Sequence, residues 1–216
     1  MSRPGFDITR EVLEAHRRWL KLGAGPGRLV VAGRRIAQRL PMGEDLSGSS
    51  FTDCELADGD ISVVAFDRAE FVGCDLHGCE ADTTSFQEAT ITSCTFTDVR
   101  LVTAFFDNAR VTGCVFRTGA GAPRRMTIAR TGWQGARVTD CHFENVHFDL
   151  TNFGAGVFER CAFTDACFRQ ADFIKGTVFR DCDFTRVDFT QVDFAGGHFE
   201  RCRGLPSWVA RPYQSA

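Results

Sequence analysis

The sequence predicts an all-β solenoid of square cross-section, preceded by a helical segment and followed by an apolar tail. Three observations carry this: an apolar residue at every fifth position, a small residue two places before most of them, and a cysteine that returns every twenty residues. A period of five fits neither a helix (3.6) nor a simple strand (2.0), so ordinary amphipathic elements are excluded over residues 46 to 203.

The five-residue frame begins at Leu46 and runs Phe51, Leu56, Ile61, Phe66, Phe71, Leu76, Ala81, Phe86, Ile91, Phe96, Leu101, Phe106, Val111, Phe116. It resumes as Ile128, Trp133, Val138 and Phe143, continues in Phe to Phe173, slips by one residue, and ends as Phe179, Phe184, Phe189, Phe194, Phe199. Nineteen of the 21 Phe lie on it, which makes it the core. Small residues such as Ser49, Cys54, Gly59, Ala69 and Cys74 precede the frame by two. Two side chains of each five therefore point inward and three outward. Cys54, Cys74, Cys94 and Cys114 are 20 apart, and Cys141, Cys161, Cys182 and Cys202 follow at 20, 21 and 20. Four steps thus close one coil, and about seven and a half coils at the strand spacing of about 4.8 Å give a rod of roughly 36 Å.

The flanks read as caps. In residues 1–40, Val12, Leu13, Trp19 and Leu20 line one helical face and Arg10, Glu14, Arg17, Arg18 and Lys21 the other, with Gly23 as a stop. Arg34 and Arg39 stand where small residues belong, so the first coil is expected to be irregular. The rod then occupies residues 41–204, and residues 205–216 form an apolar tail whose Leu205, Trp208, Val209 and Tyr213 are expected to cap the rod, join a second copy, or both.

Composition narrows the function. With 44% hydrophobic residues and a net charge of −3, the chain is not of the disordered class. No apolar run reaches the roughly 18 residues of a membrane span, and the opening residues lack a signal-peptide pattern, so a soluble, cytoplasmic protein without a membrane partner is expected. Nine of the 10 cysteines sit in the small-residue register and read as buried thiols, while Cys167 is expected to point outward. There is no Cys-x-x-Cys pair, and stacked Cβ atoms near 4.8 Å do not suit a disulfide, so neither metal nor disulfide is expected. His142 and His147 fall on outer walls and His16 on the cap, and no His is placed beside a nucleophile by any recognisable spacing. The glycine-rich stretches at 23–27 and 119–123 lack the ending of a phosphate loop and read as turns. No catalytic residue, metal ligand or cofactor site is assigned.

Charge is segregated. Residues 1–40 carry +6, residues 41–116 carry −11, residues 117–139 carry +5 and residues 140–216 carry −3. The acidic stretch spans about 18 Å, over which duplex DNA at one charge per about 1.7 Å would carry about 11. Its candidate contact residues are Glu55, Asp58, Asp60, Asp67, Glu70, Asp75, Glu80 and Asp82, spread over all four walls. Plain solubility is the competing reading of the same charges. A second candidate is the break at 117–126, where twelve residues replace one five-residue step and the excess must leave the rod as a loop. Its Arg117, Pro123, Arg124 and Arg125 suit an acidic partner, since loops on rigid scaffolds make contacts. Beside it Trp133 takes a slot that Phe fills elsewhere, so either the core widens or the ring tilts out.

The run of small residue, Asp, then Leu or Phe and two further residues, as in Cys-Asp-Leu-His-Gly (74–78), Ala-Asp-Phe-Ile-Lys (171–175) and Val-Asp-Phe-Ala-Gly (192–196), resembles the pentapeptide-repeat proteins over roughly 155 residues. The resemblance implies a right-handed quadrilateral parallel β-helix. Members that confer quinolone resistance or self-resistance imply more: a non-enzymatic, DNA-mimicking rod, homodimeric through its C-terminal ends, that binds DNA gyrase or topoisomerase IV without touching nucleic acid itself. The basic helical cap departs from those members and is more similar to that of relatives tied to secretion or effector systems, which implies a structural adaptor instead.

Overall fold

The computed structural model describes residues 3–122, 125–173, 176–194, 196–207 and 209. The chain winds as stacked square coils. The first wall is a parallel sheet of nine strands, from Val30–Ala32 through Ser50–Thr52 and Val157–Glu159 to Gly197–Glu200. The second holds seven, from Arg35–Ile36 to Ala162–Thr164, and the third four, from Arg100–Val102 to Cys167–Arg169. The fourth is joined by single bridges, Asp45–Ala65–Ser85–Phe105–Gly132–Asn152–Asp172–Asp193. Each residue pairs with the one a coil above, Phe51 with Phe71 and Phe143 with Phe163, so every frame position becomes a column.

These columns are the core. Rings stack along the axis, Phe143 on Phe163 at 4.9 Å and 4° and Phe163 on Phe184 at 5.0 Å and 2°, while neighbouring columns meet edge to face. Trp133 stays inside, fully buried and stacked on Phe106 at 4.3 Å. Its indole N–H donates to Thr131 Oγ1 at 3.2 Å, so the small-residue slot below supplies the partner that a buried Trp needs.

The square is made by its corners. The second residue after nearly every frame position adopts positive φ, as in Asp53 (51°), Val63 (60°), Asn108 (59°) and Leu150 (54°), turning the chain toward the next wall; Thr118, where the loop leaves the rod, is an exception. The small slot has a bonding duty as well. Cys74 Sγ donates to Phe51 O at 3.3 Å and Cys79 Sγ to Leu56 O at 3.2 Å, each reaching a frame carbonyl one coil back. Thr84 and Thr151 do the same to Ile61 O and Ile128 O, both at 2.8 Å. Buried carbonyls need partners, and a short S–H or O–H donor provides one without widening the column.

Regular winding starts earlier than the frame suggested: Val31, Ile36, Leu40 and Leu46 are all buried, but spaced five, four and six. Arg34 and Arg39 in this coil are exposed, not turned inward. Helix α1 (Arg10–Leu22) precedes it, with Thr9 as N-cap and Gly23 as a left-handed C-cap (φ 69°). One expectation is corrected: Cys167, placed outward by its register, is only 5% exposed, because neighbours one coil away close over it and its Sγ lies 3.6 Å from Asp188 Oδ2.

Candidate functional site

The loop that leaves the rod after Phe116 is pinned at its base. Thr118 Oγ1 accepts the N–H of Met126 at 2.8 Å and donates to Asn145 O at 2.6 Å, holding both ends of the excursion to the coil above. Gly119 N–H donates to Asp98 Oδ1 at 2.8 Å, and a Cβ at Gly119 would lie 2.4 Å from that carboxylate, which would have to shift to admit a side chain. Arg117 is exposed and donates to Thr97 Oγ1 at 3.3 Å. Arg125 is exposed, 3.4 Å from His147 Nε2. Pro123 and Arg124, the other two candidate loop residues, lie outside the described residues.

Arg125 stands between two concavities on the third wall. One, of about 500 Å³, lies under the loop with Val99, Val102, Ala122 and Met126 as its apolar lining and Glu80, Asp98 and Arg100 among its polar groups. The other, of about 330 Å³, is lined by His147, Asp165, Cys167, Arg169, Arg186 and Asp188. Arg186 there is forked to Asp165, both contacts 2.7 Å. Burial lowers the His147 pKa, so its imidazole is neutral, and burial raises that of Cys167, so its thiol stays protonated. A protonated thiol facing a carboxylate is a poor nucleophile. Among the described residues, no three His, Cys, Asp or Glu side chains are grouped to hold a metal ion.

The acidic half is less bare than its formal charge. Glu55 is bound by Arg35 at 2.8 Å and by His77 at 3.3 Å, which hold its carboxyl below the ordinary value. Asp60 is bound by Arg39 at 2.6 Å and capped by Ser62, and Arg100 reaches both Glu80 at 3.4 Å and Asp82. Asp67 accepts from Ser85 Oγ and, at 3.2 Å, from Gln87 N–H. Asp58, Glu70 and Asp75 carry no ion pair among the described residues; Asp58 and Glu70 are exposed and Asp75 half-buried. Four of the eight candidates are therefore paired with arginine, with Arg100 shared between two of them. Sequence reasoning missed these pairs, although Arg35 and Glu55, or Arg39 and Asp60, stand one coil apart in number. The upper half is laddered likewise, with Arg160 on Asp140, Arg201 on Asp181 and Arg203 on Asp183.

At the far end the core thins. Phe189, Phe194, Phe199 and Leu205 are half-buried against the last coils, and Val209 N–H donates to Pro206 O at 2.9 Å. Trp208 and Tyr213 of the proposed tail contact lie outside the described residues.

Comparison with known proteins fits this geometry. Residues 69–108 and 174–203 match the family model for pentapeptide repeats, in eight copies. Among solved structures, a trypsin-treated variant of QnrB1, a plasmid-mediated fluoroquinolone resistance protein, is similar with a TM-score of 0.56 at 16% identity, covering 81% of this chain and 80% of that one. HetL, a pentapeptide repeat protein involved in heterocyst differentiation regulation in the cyanobacterium Nostoc, aligns with a TM-score of 0.36 at 12% identity, over 84% of this chain and 92% of that one. The curated proteins give no match. At 16% identity the likeness to the QnrB1 variant bears on the fold alone.

Proposed function

Taking as premise that this chain is a pentapeptide-repeat protein, we propose that it is a non-catalytic binding rod that presents its acidic half, in place of duplex DNA, to DNA gyrase or topoisomerase IV. One observation carries the reading: residues 41–116 hold a net −11 on a rigid column, close to the roughly 11 charges of duplex DNA over the same length of about 18 Å. The shared fold with a fluoroquinolone resistance protein supports it. In this reading Arg117 and Arg125 at the loop touch the enzyme, and two copies join through the half-buried apolar end around Phe199 and Leu205.

The test is gyrase supercoiling with a fluoroquinolone, with and without the protein. Protection or inhibition at micromolar protein is expected; the absence of both effects contradicts the proposal. Light scattering of the chain lacking residues 205–216 tests the pairing, which predicts halved mass.

A second reading, a structural adaptor, is favoured by the arginines paired with Glu55, Asp60, Glu80 and Asp82 and by the +6 of residues 1–40. Capture of a partner other than a topoisomerase, lost on deleting residues 1–40, selects it.

A further inference from the structure

Helix α1 is docked on the first coil through a seam that contains two buried titratable groups, Glu44 and His16. Arg17 forks onto Glu44, itself 4% exposed. Trp19 lies against Gly48, where an added Cβ would come within 3.1 Å of the ring, and Arg28 sits 5.8 Å over the same indole. Between them His16 is fully buried and stacked on Trp19 at 5.3 Å.

The bonding of His16 fixes its charge state. Its Nδ1 accepts the N–H of Leu29 at 3.0 Å, so the proton of the neutral ring is on Nε2, which has no side-chain or backbone partner within hydrogen-bond geometry. A second proton must go to Nδ1, where the Leu29 N–H already points. Two donors would then face each other at 3.0 Å in a site closed to solvent. The imidazolium can form only if the helix lifts away from Leu29.

We propose that His16 makes α1 a proton-operated latch: docked while the imidazole is neutral, and released on mild acidification to bare the end of the first coil at Leu29 and around Glu44–Gly48. An uncovered solenoid end is where further strands or copies add, so the latch governs access to that end.

The groups facing His16 set the balance. From the coil, the Ser47 backbone, then Asp45 and Glu44, favour the imidazolium and Arg28 opposes it; on its own helix, Arg17 is occupied by Glu44. Burial outweighs the carboxylates and lowers the His16 pKa. The released helix thus binds the proton more readily than the docked one. Docking is at full strength above the free imidazole value of about 6.5 and weakens about tenfold per pH unit below it, until the docked group itself titrates. The other charged groups at this seam are carboxylates and arginines, so His16 is its one imidazole among the described residues.

Hydrogen exchange on the full chain at pH 7.5, 6.5 and 5.5, corrected for intrinsic rates, reads the latch. Protection of the α1 amides is expected to fall about tenfold between pH 7.5 and 5.5, about fivefold of it below pH 6.5, while that of the strands holding Phe143 and Phe163 holds. The variant His16→Gln, whose amide oxygen can accept from Leu29, should show no such fall. Should that variant leave α1 unprotected even at pH 7.5, the imidazole of the unaltered chain is titrated by NMR instead. A midpoint below 6.5 that coincides with loss of α1 protection supports the latch. Constant α1 protection across this range, or an ordinary His16 titration with the helix still protected, overturns it.

Discussion

Phe163→Ala tests the stacked column at its most enclosed point. The ring is fully buried, sandwiched between Phe143 at 4.9 Å and Phe184 at 5.0 Å, and met edge-on by Phe148, Phe168 and Phe179. Losing its apolar burial costs about 2 kcal/mol. The cavity adds a comparable amount, because backbone ladders on either side, such as Phe143 to Phe163, hold the walls apart and prevent collapse. The sum is about 4 kcal/mol, within the usual range for a buried Phe. Phe199 is the control: only half-buried, stacked on Phe179 at 5.2 Å and met at an angle by Phe173, Phe184 and Phe194, it should cost about 1 to 2 kcal/mol when cut to Ala. Urea unfolding followed by circular dichroism measures both. Equal losses at the two sites, or less than about 1.5 kcal/mol at Phe163, would refute the claim that the axial column carries the stability.

Three further outcomes follow from the local structure. Val63 holds a β-branched side chain at φ 60°, a conformation costing about 1 kcal/mol that Asn tolerates, so Val63→Asn should raise the thermal midpoint by a few degrees in a melting scan. Cys161 Sγ reaches Val138 O at 3.5 Å and Glu159 O at 3.4 Å; Cys161→Val should cost about 1 kcal/mol in the urea assay by removing that donor, and Cys161→Ser less. Arg203, bound at 2.7 Å, holds the Asp183 pKa down to about 2, with Thr185 adding to it. A depressed carboxyl adds stability that is complete above the unfolded value near 3.8 and lost as pH falls toward 2. NMR titration should show that midpoint moving up toward 3.8 in Arg203→Ala, and an unmoved midpoint would remove the arginine from the account.

The rod was legible because burial repeats. Frame and small slot recur every five residues, and Cys54 to Cys114 mark the coil length, so the walls could be counted before they were seen. What escaped lies in features that period alone does not specify. The left-handed corners fall where Asp, Asn and Gly are frequent, as at Asp53, Gly73, Gly78 and Asn108, but Val63 and Leu150 adopt the same conformation against their own preference because the walls impose it. The start at Val31 was hidden by the uneven spacing of Ile36, Leu40 and Leu46. Of the candidate site, the loop was visible as excess length, whereas the arginine pairs on the acidic half needed the coil register. Cys167 was read as outward from its own step, although its cover comes from Asp188, a coil above.

The central claim, that the acidic half stands in for DNA, is tested most directly by competition. Fluorescence anisotropy of a labelled duplex bound to gyrase is followed as the protein is added at fixed salt. The account predicts displacement of the duplex at micromolar protein, weakened when the unpaired acids are reversed in Asp58→Lys, Glu70→Lys, Asp75→Lys. A duplex that stays bound, or is displaced equally by the reversed variant, contradicts it.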